Sequence, residues 1–212
     1  EYRLNALIAN YPKPYIAFMQ GFTMGGGVGI SCHGSHRIVC DSSKIAMPEC
    51  SIGLVPDVGG SFLLSQVPGN LGYYLGLTGT QLNAADAIFA GFADYYIPKE
   101  EWLTVTEFLE QSGDLSVLQK SSKNPGESHL AANKDFFDKA FKFRNLSRVV
   151  KFLSNSESHL AQLTLNKIEK NCPLAMTYTI EMISRLSPRS KIEDALDLEY
   201  RFTSRAQEFG SF

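Results

Sequence analysis

Two carboxylates, Glu49 and Asp57, lie eight positions apart in the segment Pro48-Glu49-Cys50-Ser51-Ile52-Gly53-Leu54-Val55-Pro56-Asp57-Val58-Gly59-Gly60. The segment is otherwise almost wholly apolar, and two prolines stiffen it. An acid among apolar neighbours is costly to ionise without a partner, so its pKa shifts. Such a pair suits proton transfer or nucleophilic attack. A plainer reading fits the same residues: Asp57 as the N-cap of a helix that starts near Gly60, and Glu49 as a solvated loop acid.

The second feature is Met24-Gly25-Gly26-Gly27-Val28-Gly29-Ile30, between an apolar run and a segment of small residues. Glycine inside a helix costs about 1 kcal/mol relative to alanine, so the run calls for a reason. Close packing is one. The other is a helix N-terminus whose free N–H groups a ligand reaches closely, as a phosphate or a developing oxyanion would. No Lys-Ser/Thr follows the glycines, which excludes a Walker loop, and the G-x-G-x-x-G dinucleotide pattern is not met. Spacing alone leaves packing and an oxyanion site open.

Cys32, Cys40, Cys50 and Cys172 form no CxxC pair and read as free thiols of a reducing compartment. His33 and His36 are three apart, but no second cluster completes a tetrahedron, so no metal is expected.

These residues need elements to position them. A helix is expected over 2–10, ended by Pro12 and Pro14. Tyr15–Met19 reads as a strand buried on both faces, the glycine segment to His36 as a tight helix, and Arg37–Cys40 and Lys44–Met47 as two more strands. Strand, helix, strand in so short a span is a βαβ unit and places the chain in the α/β class. Helices follow over 61–67, over 71–77 with Gly79 as the residue past its end, and from Asn83 to Gly91. A brief strand spans Ala93–Ile97 and a helix Trp102–Gln111. The polar stretch 112–135 reads as a linker or excursion, and the remainder as helical, with a capping box at Ser190-Lys191-Ile192-Glu193. The chain thus divides into a layered front, 1–98, and a helical back, 99–212. Glu1-Tyr2-Arg3-Leu4 reads as helix interior and Arg205–Phe212 carries no capping signal, so a piece of a longer chain is expected.

The 212 residues carry 20 Lys+Arg and 22 Asp+Glu, a net charge of −2, which gives no electrostatic case for nucleic acid or an acidic membrane as partner. Hydrophobic residues make up 44%, enough for a sizeable core. No stretch approaches the ~18 apolar residues of a membrane span, and no targeting peptide is visible.

Lys13-Pro14-Tyr15-Ile16-Ala17, the Met24–Gly29 run, Met47-Pro48-Glu49, Gly53–Gly60 and Leu77-Thr78-Gly79 occur in an order and spacing that resemble the crotonase (enoyl-CoA hydratase/isomerase) superfamily. Leu198-Glu199-Tyr200-Arg201 fits more loosely. The resemblance implies a ββα spiral core, with its first turns upstream of Glu1, and a helical C-terminal region. It implies an acyl-CoA substrate, no cofactor besides the CoA of the substrate, a homo-oligomer, and residence in the cytoplasm of a bacterium or the mitochondrial matrix of a eukaryote. Typical hydratases of the superfamily carry a catalytic glutamate where this chain has Gly29, and glycine where it has Asp57. Both departures resemble the thioester-hydrolase branch that acts on 3-hydroxyisobutyryl-CoA in valine breakdown. That branch implies Gly26 N–H as one oxyanion donor, Glu49 and Asp57 as catalytic carboxylates, and Glu1 as a substrate contact, with the second oxyanion donor upstream. The alternatives are a hydratase or isomerase using Glu49 alone, and a non-catalytic assembly subunit.

Overall fold

A computed structural model describes residues 1–209, the side chains of Gln207 and Phe209 excepted. Residues 210–212 lie outside it, so part of the uncapped end expected over Arg205–Phe212 is not described. Helix α1 (Tyr2–Ala9) leads to strand β1 (Ile16–Met19), strand β2 (Phe22–Met24), helix α2 (Gly26–Ser31), and strands β3 (His36–Val39) and β4 (Lys44–Ala46). A single 3-10 turn, Glu49–Ile52, precedes α3 (Gly60–Gln66), α4 (Leu71–Thr78), α5 (Ala84–Phe89) and strand β5 (Tyr95–Tyr96). The expected βαβ unit is present, since β1 and β3 pair in parallel with Ile16 opposite His36 and Met19 opposite Val39. Strand β5 extends that sheet on the far side of β3.

Strand β2 was not expected from the sequence. Its three residues are too few for a periodic signal. They pair in parallel with β4, Phe22 opposite Lys44 and Met24 opposite Ala46, in a second sheet. Gly21, at φ 61°, makes the corner between β1 and β2. Ser43 makes the matching corner after β3: its Oγ accepts from Cys40 N–H at 2.9 Å and donates to the Met19 carbonyl at 2.6 Å. Two successive layers therefore turn at matching corners, as the expected spiral core requires. Arg37 on β3 ties the sheet to the chain before β5, with two nitrogens on the Asp94 carboxylate and a third on the Gly91 carbonyl.

Helix α4 is buried along its whole length. A side chain at Gly72 would begin 1.9 Å from the Leu64 carbonyl of α3, so only glycine lets the two helices meet there. Asn83 caps α5 by accepting from Asp86 N–H, and Gly79 and Gly91 take the left-handed conformation that ends the helices before them, as the sequence indicates.

Beyond β5 the chain runs α6 (Trp102–Ser112), α7 (Ser116–Ser121), α8 (His129–Ala132), α9 (Lys134–Phe141), α10 (Leu146–Ser154), α11 (His159–Ile168), α12 (Pro173–Arg185) and α13 (Ile192–Phe209). The stretch 112–135 is thus no bare linker. Two short helices there bury Leu118 and Leu130. One anchor per helix leaves no repeat to read. Helix α8 is also held by Asp86, which accepts from Ser128 Oγ and Leu130 N–H. The expected capping box does not form: Ser190 Oγ accepts from Ser187 N–H and Glu193 from Asn10 Nδ2, while Asp194 accepts from Lys191 N–H at 2.8 Å.

Candidate active site

The elements converge where α1, the start of α2, the 3-10 turn and the loop before α3 meet. Pro48 precedes Glu49, and the left-handed Gly53 ends the turn that carries it. Glu49 is 6% exposed. Its Oε1 lies 3.1 Å from where a side chain at Gly25 would begin, and its buried Oε2 has no hydrogen-bond partner among the described residues. Burial pushes its pKa up to about 8, and the neighbouring Asp57 and Glu199 charges push the same way. Glu49 is therefore not a solvated loop acid.

Asp57 precedes two successive left-handed residues, Val58 at φ 52° and Gly59 at φ 79°. A β-branched residue there is strained and persists only where the surroundings hold it. His33 does part of this, with Nε2 2.8 Å from the Val58 carbonyl, and its burial lowers its pKa. The Asp57 carboxylate does not cap α3. It accepts from the Tyr2 phenol at 3.0 Å, and that phenol also lies 3.1 Å from Thr203 Oγ1 on α13. Burial raises the Asp57 pKa, the Tyr2 hydrogen bond lowers it, and the Glu1 charge raises it. Burial likewise drives the Tyr2 phenol well above its usual range.

Glu199 caps α3 instead. From 140 residues away it accepts from Gly59 N–H at 2.9 Å, Ser61 N–H at 3.0 Å and Ser61 Oγ. It is fully buried, and burial raises its pKa to about 7 against the lowering effect of those donors. It therefore fixes the backbone that aims Asp57.

Gly25, at φ 51°, starts α2 and leaves the Gly26 N–H as the first of the helix. Glu1 lies across it, with Oε1 2.9 Å from where a Gly26 side chain would begin. An open crevice of about 580 Å³ is lined by Glu1, Tyr2, Arg3, Asp57, Tyr200 and Thr203. A side chain at Gly29 would begin 2.7 Å from both Asn5 Nδ2 and Val58 Cβ. The slot at Gly29 is thus closed to a side chain.

The structure thus brings Glu1, Gly26, Glu49 and Asp57 to one place. It separates His33 from His36, which turns to Ser35 and stacks on Tyr95. Among the described residues no three His, Cys, Asp or Glu side chains gather as a metal site would need. No helix among them is long and apolar enough to cross a membrane. Sequence reasoning missed the parts played by Tyr2, Asn5, His33, Thr203 and Glu199. Glu199 had a readable signal: it falls on the apolar stripe Ile192, Ala195, Leu196, Phe202, Ala206, where a charge needs partners.

Comparison with known proteins gives three differently named relatives. The rat mitochondrial 3-hydroxyisobutyryl-CoA hydrolase is 33% identical over all of this chain and 58% of its own length. The crystal structure of an enoyl-CoA hydratase from Rhodobacter sphaeroides is 47% identical with a TM-score of 0.93, over 98% of this chain and 60% of that one. The small ribosomal subunit protein mS47 of Neurospora crassa is 32% identical over 90% of this chain and 39% of its own length. The chain spans about three-fifths of the length of the first two. The enoyl-CoA hydratase/isomerase family model matches residues 1–212 from end to end, and with the spiral of parallel strands and the site above, this chain belongs to that family.

Proposed function

We propose that this chain carries the catalytic carboxylates of an acyl-CoA thioester hydrolase, with 3-hydroxyisobutyryl-CoA as substrate. One observation carries the reading: Glu49 and Asp57 share one site while Val58 and Asn5 fill the position a hydratase acid at residue 29 would need. Adding water across a double bond calls for two acids set for that purpose. Cleaving a thioester calls for a polarised carbonyl, an activated nucleophile and a protonated leaving thiolate.

Gly26 N–H polarises the thioester carbonyl, helped by a second donor from upstream. Glu49 either attacks that carbon, giving an anhydride that water then opens, or removes a proton from the attacking water. Its raised pKa suits proton transfer near neutrality. Asp57, held by Tyr2, orients water or the substrate hydroxyl. Glu1 contacts the substrate over Gly26. The proposed reaction calls for no metal or redox group, and CoA enters only as part of the substrate. Copies of the chain associate through their helical ends. The enzyme works in the mitochondrial matrix in a eukaryote, as the rat relative's name supports, and in the cytoplasm in a bacterium.

Thiol release and double-bond absorbance, followed on the same full-length protein, test the proposal. Release of CoA from 3-hydroxyisobutyryl-CoA is expected. Efficient hydration of crotonyl-CoA without thiol release from any hydroxyacyl-CoA would overturn it in favour of a hydratase. Inactivity toward both, with Glu49 and Asp57 intact, would favour an assembly subunit.

A further inference from the structure

Cys50 directly follows Glu49 in the 3-10 turn, and Cys172 directly precedes α12. The two meet across a backbone hydrogen bond, with Cys172 N–H donating to the Cys50 carbonyl at 2.9 Å. Residues joined by such bonds in an antiparallel ladder hold their Cα atoms about 5.5 Å apart. A disulfide spans Cα separations of roughly 4.4–6.8 Å, so the backbone here already suits one. The two side chains differ in access. Cys172 is half-buried, and its thiol caps nothing at the start of α12. Cys50 is fully buried, with Sγ 3.5 Å from Thr179 Oγ1 on the same helix. Burial pushes the Cys50 thiol up to about 12, and the neighbouring Glu49 and Cys172 groups add to the rise. Among the described residues Cys32 and Cys40 are buried as well, but neither meets a second cysteine in this way.

We propose that Cys172 is a site of oxidation by hydroperoxides and that Cys50 resolves it, closing a reversible disulfide that ties the Glu49 turn to α12. With hydrogen peroxide, the Cys172 sulfur takes one oxygen as the O–O bond breaks, giving a sulfenic acid and one water. The Cys50 sulfur then attacks the sulfenic sulfur. The S–O bond breaks as the S–S bond forms, and the Cys50 proton leaves with the hydroxyl as a second water. Two thiols lose two electrons, and the peroxide gains them. A sealed thiol with a raised pKa is inert to oxidants in solution, which assigns the first step to Cys172 and leaves Cys50 for the sulfur held beside it. A thiol reductant reverses the bond, and a transient disulfide of this kind suits a reducing compartment. To form it, Cys50 Sγ turns from Thr179 toward Cys172, until the two Cβ atoms stand about 3.8 Å apart. Cys50 shares a peptide unit with Glu49, so the turn that carries the acid is drawn along. The effect on activity rests on the thioester-hydrolase reading; the bond itself does not.

The test treats the full-length protein with hydrogen peroxide, alkylates it in denaturant, and maps its peptides by mass spectrometry without reductant. Cys50 and Cys172 are expected to be joined, with Cys32 and Cys40 alkylated as free thiols. Turnover, followed by thioester absorbance, is expected to fall about 10²-fold, the size of loss that a shift of roughly 1 Å in a catalytic group causes, and to return with dithiothreitol. Cys172→Ser is expected to work at the parent rate and to keep that rate after peroxide. Cys50→Ala is expected to hold Cys172 as a sulfenic acid that dimedone labels; should that variant not fold, Cys172→Ser and the peptide map carry the test. Absence of the joined pair, full turnover in the joined protein, or an equal peroxide loss in Cys172→Ser would each overturn the proposal. Should the parent hydrolyse no thioester before oxidation, the hydrolase reading fails by itself, and the peptide map still decides the bond.

Discussion

The starts of α2 and α3 each face a buried glutamate, and the two glutamates are treated differently. At α3, Glu199 accepts from two backbone N–H groups and a serine hydroxyl. At α2, Glu49 is buried almost as deeply, yet its Oε2 has no partner among the described residues. Residue type and burial are alike, and hydrogen bonding separates them. A buried carboxylate ringed by donors is committed to holding backbone in place. One left short of partners stores a desolvation cost that a reacting group can use. Glu199 is accordingly part of the frame, and Glu49 is the acid left available for the proposed chemistry.

The largest expected effect comes from Glu49→Gln, which keeps the shape and removes the ionisable oxygen. Thioester turnover is expected to fall about 10²–10⁴-fold with no loss of Tm. The folded state holds the Glu49 proton up to about pH 8, against an ordinary value near 4.5. Between those values the folded state binds more protons than the unfolded one, so the parent loses stability as pH rises through that window. The glutamine variant is expected to show a flatter profile and greater stability than the parent at pH 8. A variant retaining a tenth of the parent rate would place Glu49 with the frame.

Asp57→Gly is expected next, at about 10²-fold in thioester hydrolysis with Tm little changed, since its side chain caps nothing. Thiol release and thermal midpoint on one preparation check it. A lowered midpoint with unchanged specific activity would return Asp57 to a structural role.

Glu199→Ala should reverse the pattern of Glu49. It leaves Gly59 N–H, Ser61 N–H and Ser61 Oγ without their acceptor, a loss of about 3 kcal/mol in denaturant unfolding. Equal losses of stability in the Glu49 and Glu199 variants would erase the distinction between the two helix starts.

Gly29→Ala tests the closed slot. Its Cβ would meet Asn5 and Val58 at 2.7 Å, and overpacking of that kind costs about 1–3 kcal/mol. Unchanged stability would mean that the slot can open, and would weaken the case against hydratase chemistry.

The smallest effect is expected from Tyr2→Phe. The phenol donates to Asp57 and favours its ionised form, so its removal raises the Asp57 pKa. The acid limb of kcat/KM should move to higher pH, with the rate on the alkaline side near that of the parent. An unmoved limb would mean that Asp57 is not the group titrating there.

Much of the spiral could be read along the chain because local chemistry specifies it. Tyr15–Met19 and Ile38–Cys40 are apolar enough to read as strands, although burial on both faces is reached only at Met19 in β1 and at Ile38 and Val39 in β3, and Gly79, Gly91 and Asn83 mark helix ends through their own backbone preferences. Strand β2 could not be read, because three residues carry no period. Nor could α7 and α8, each anchored by one leucine in a polar stretch. The polar pair at the site was visible as two acids in an apolar loop, whereas Asp57 as cap was a local inference that a distant residue overrode.

What the sequence determined alone was which groups are available: two acids with no local partner, a glycine run that cannot be explained by helix propensity, and no glutamate at position 29. Tertiary structure decided which acid stays unpartnered. Glu199 reaches Gly59 and Ser61 across 140 and 138 residues, and Tyr2 reaches Asp57 across 55, while among the described residues no partner reaches Glu49 Oε2. Hydrogen bonds of that range depend on how α1 and α13 pack against the loop. Desolvation depends in turn on everything packed around a group, so no local pattern in the chain encodes either.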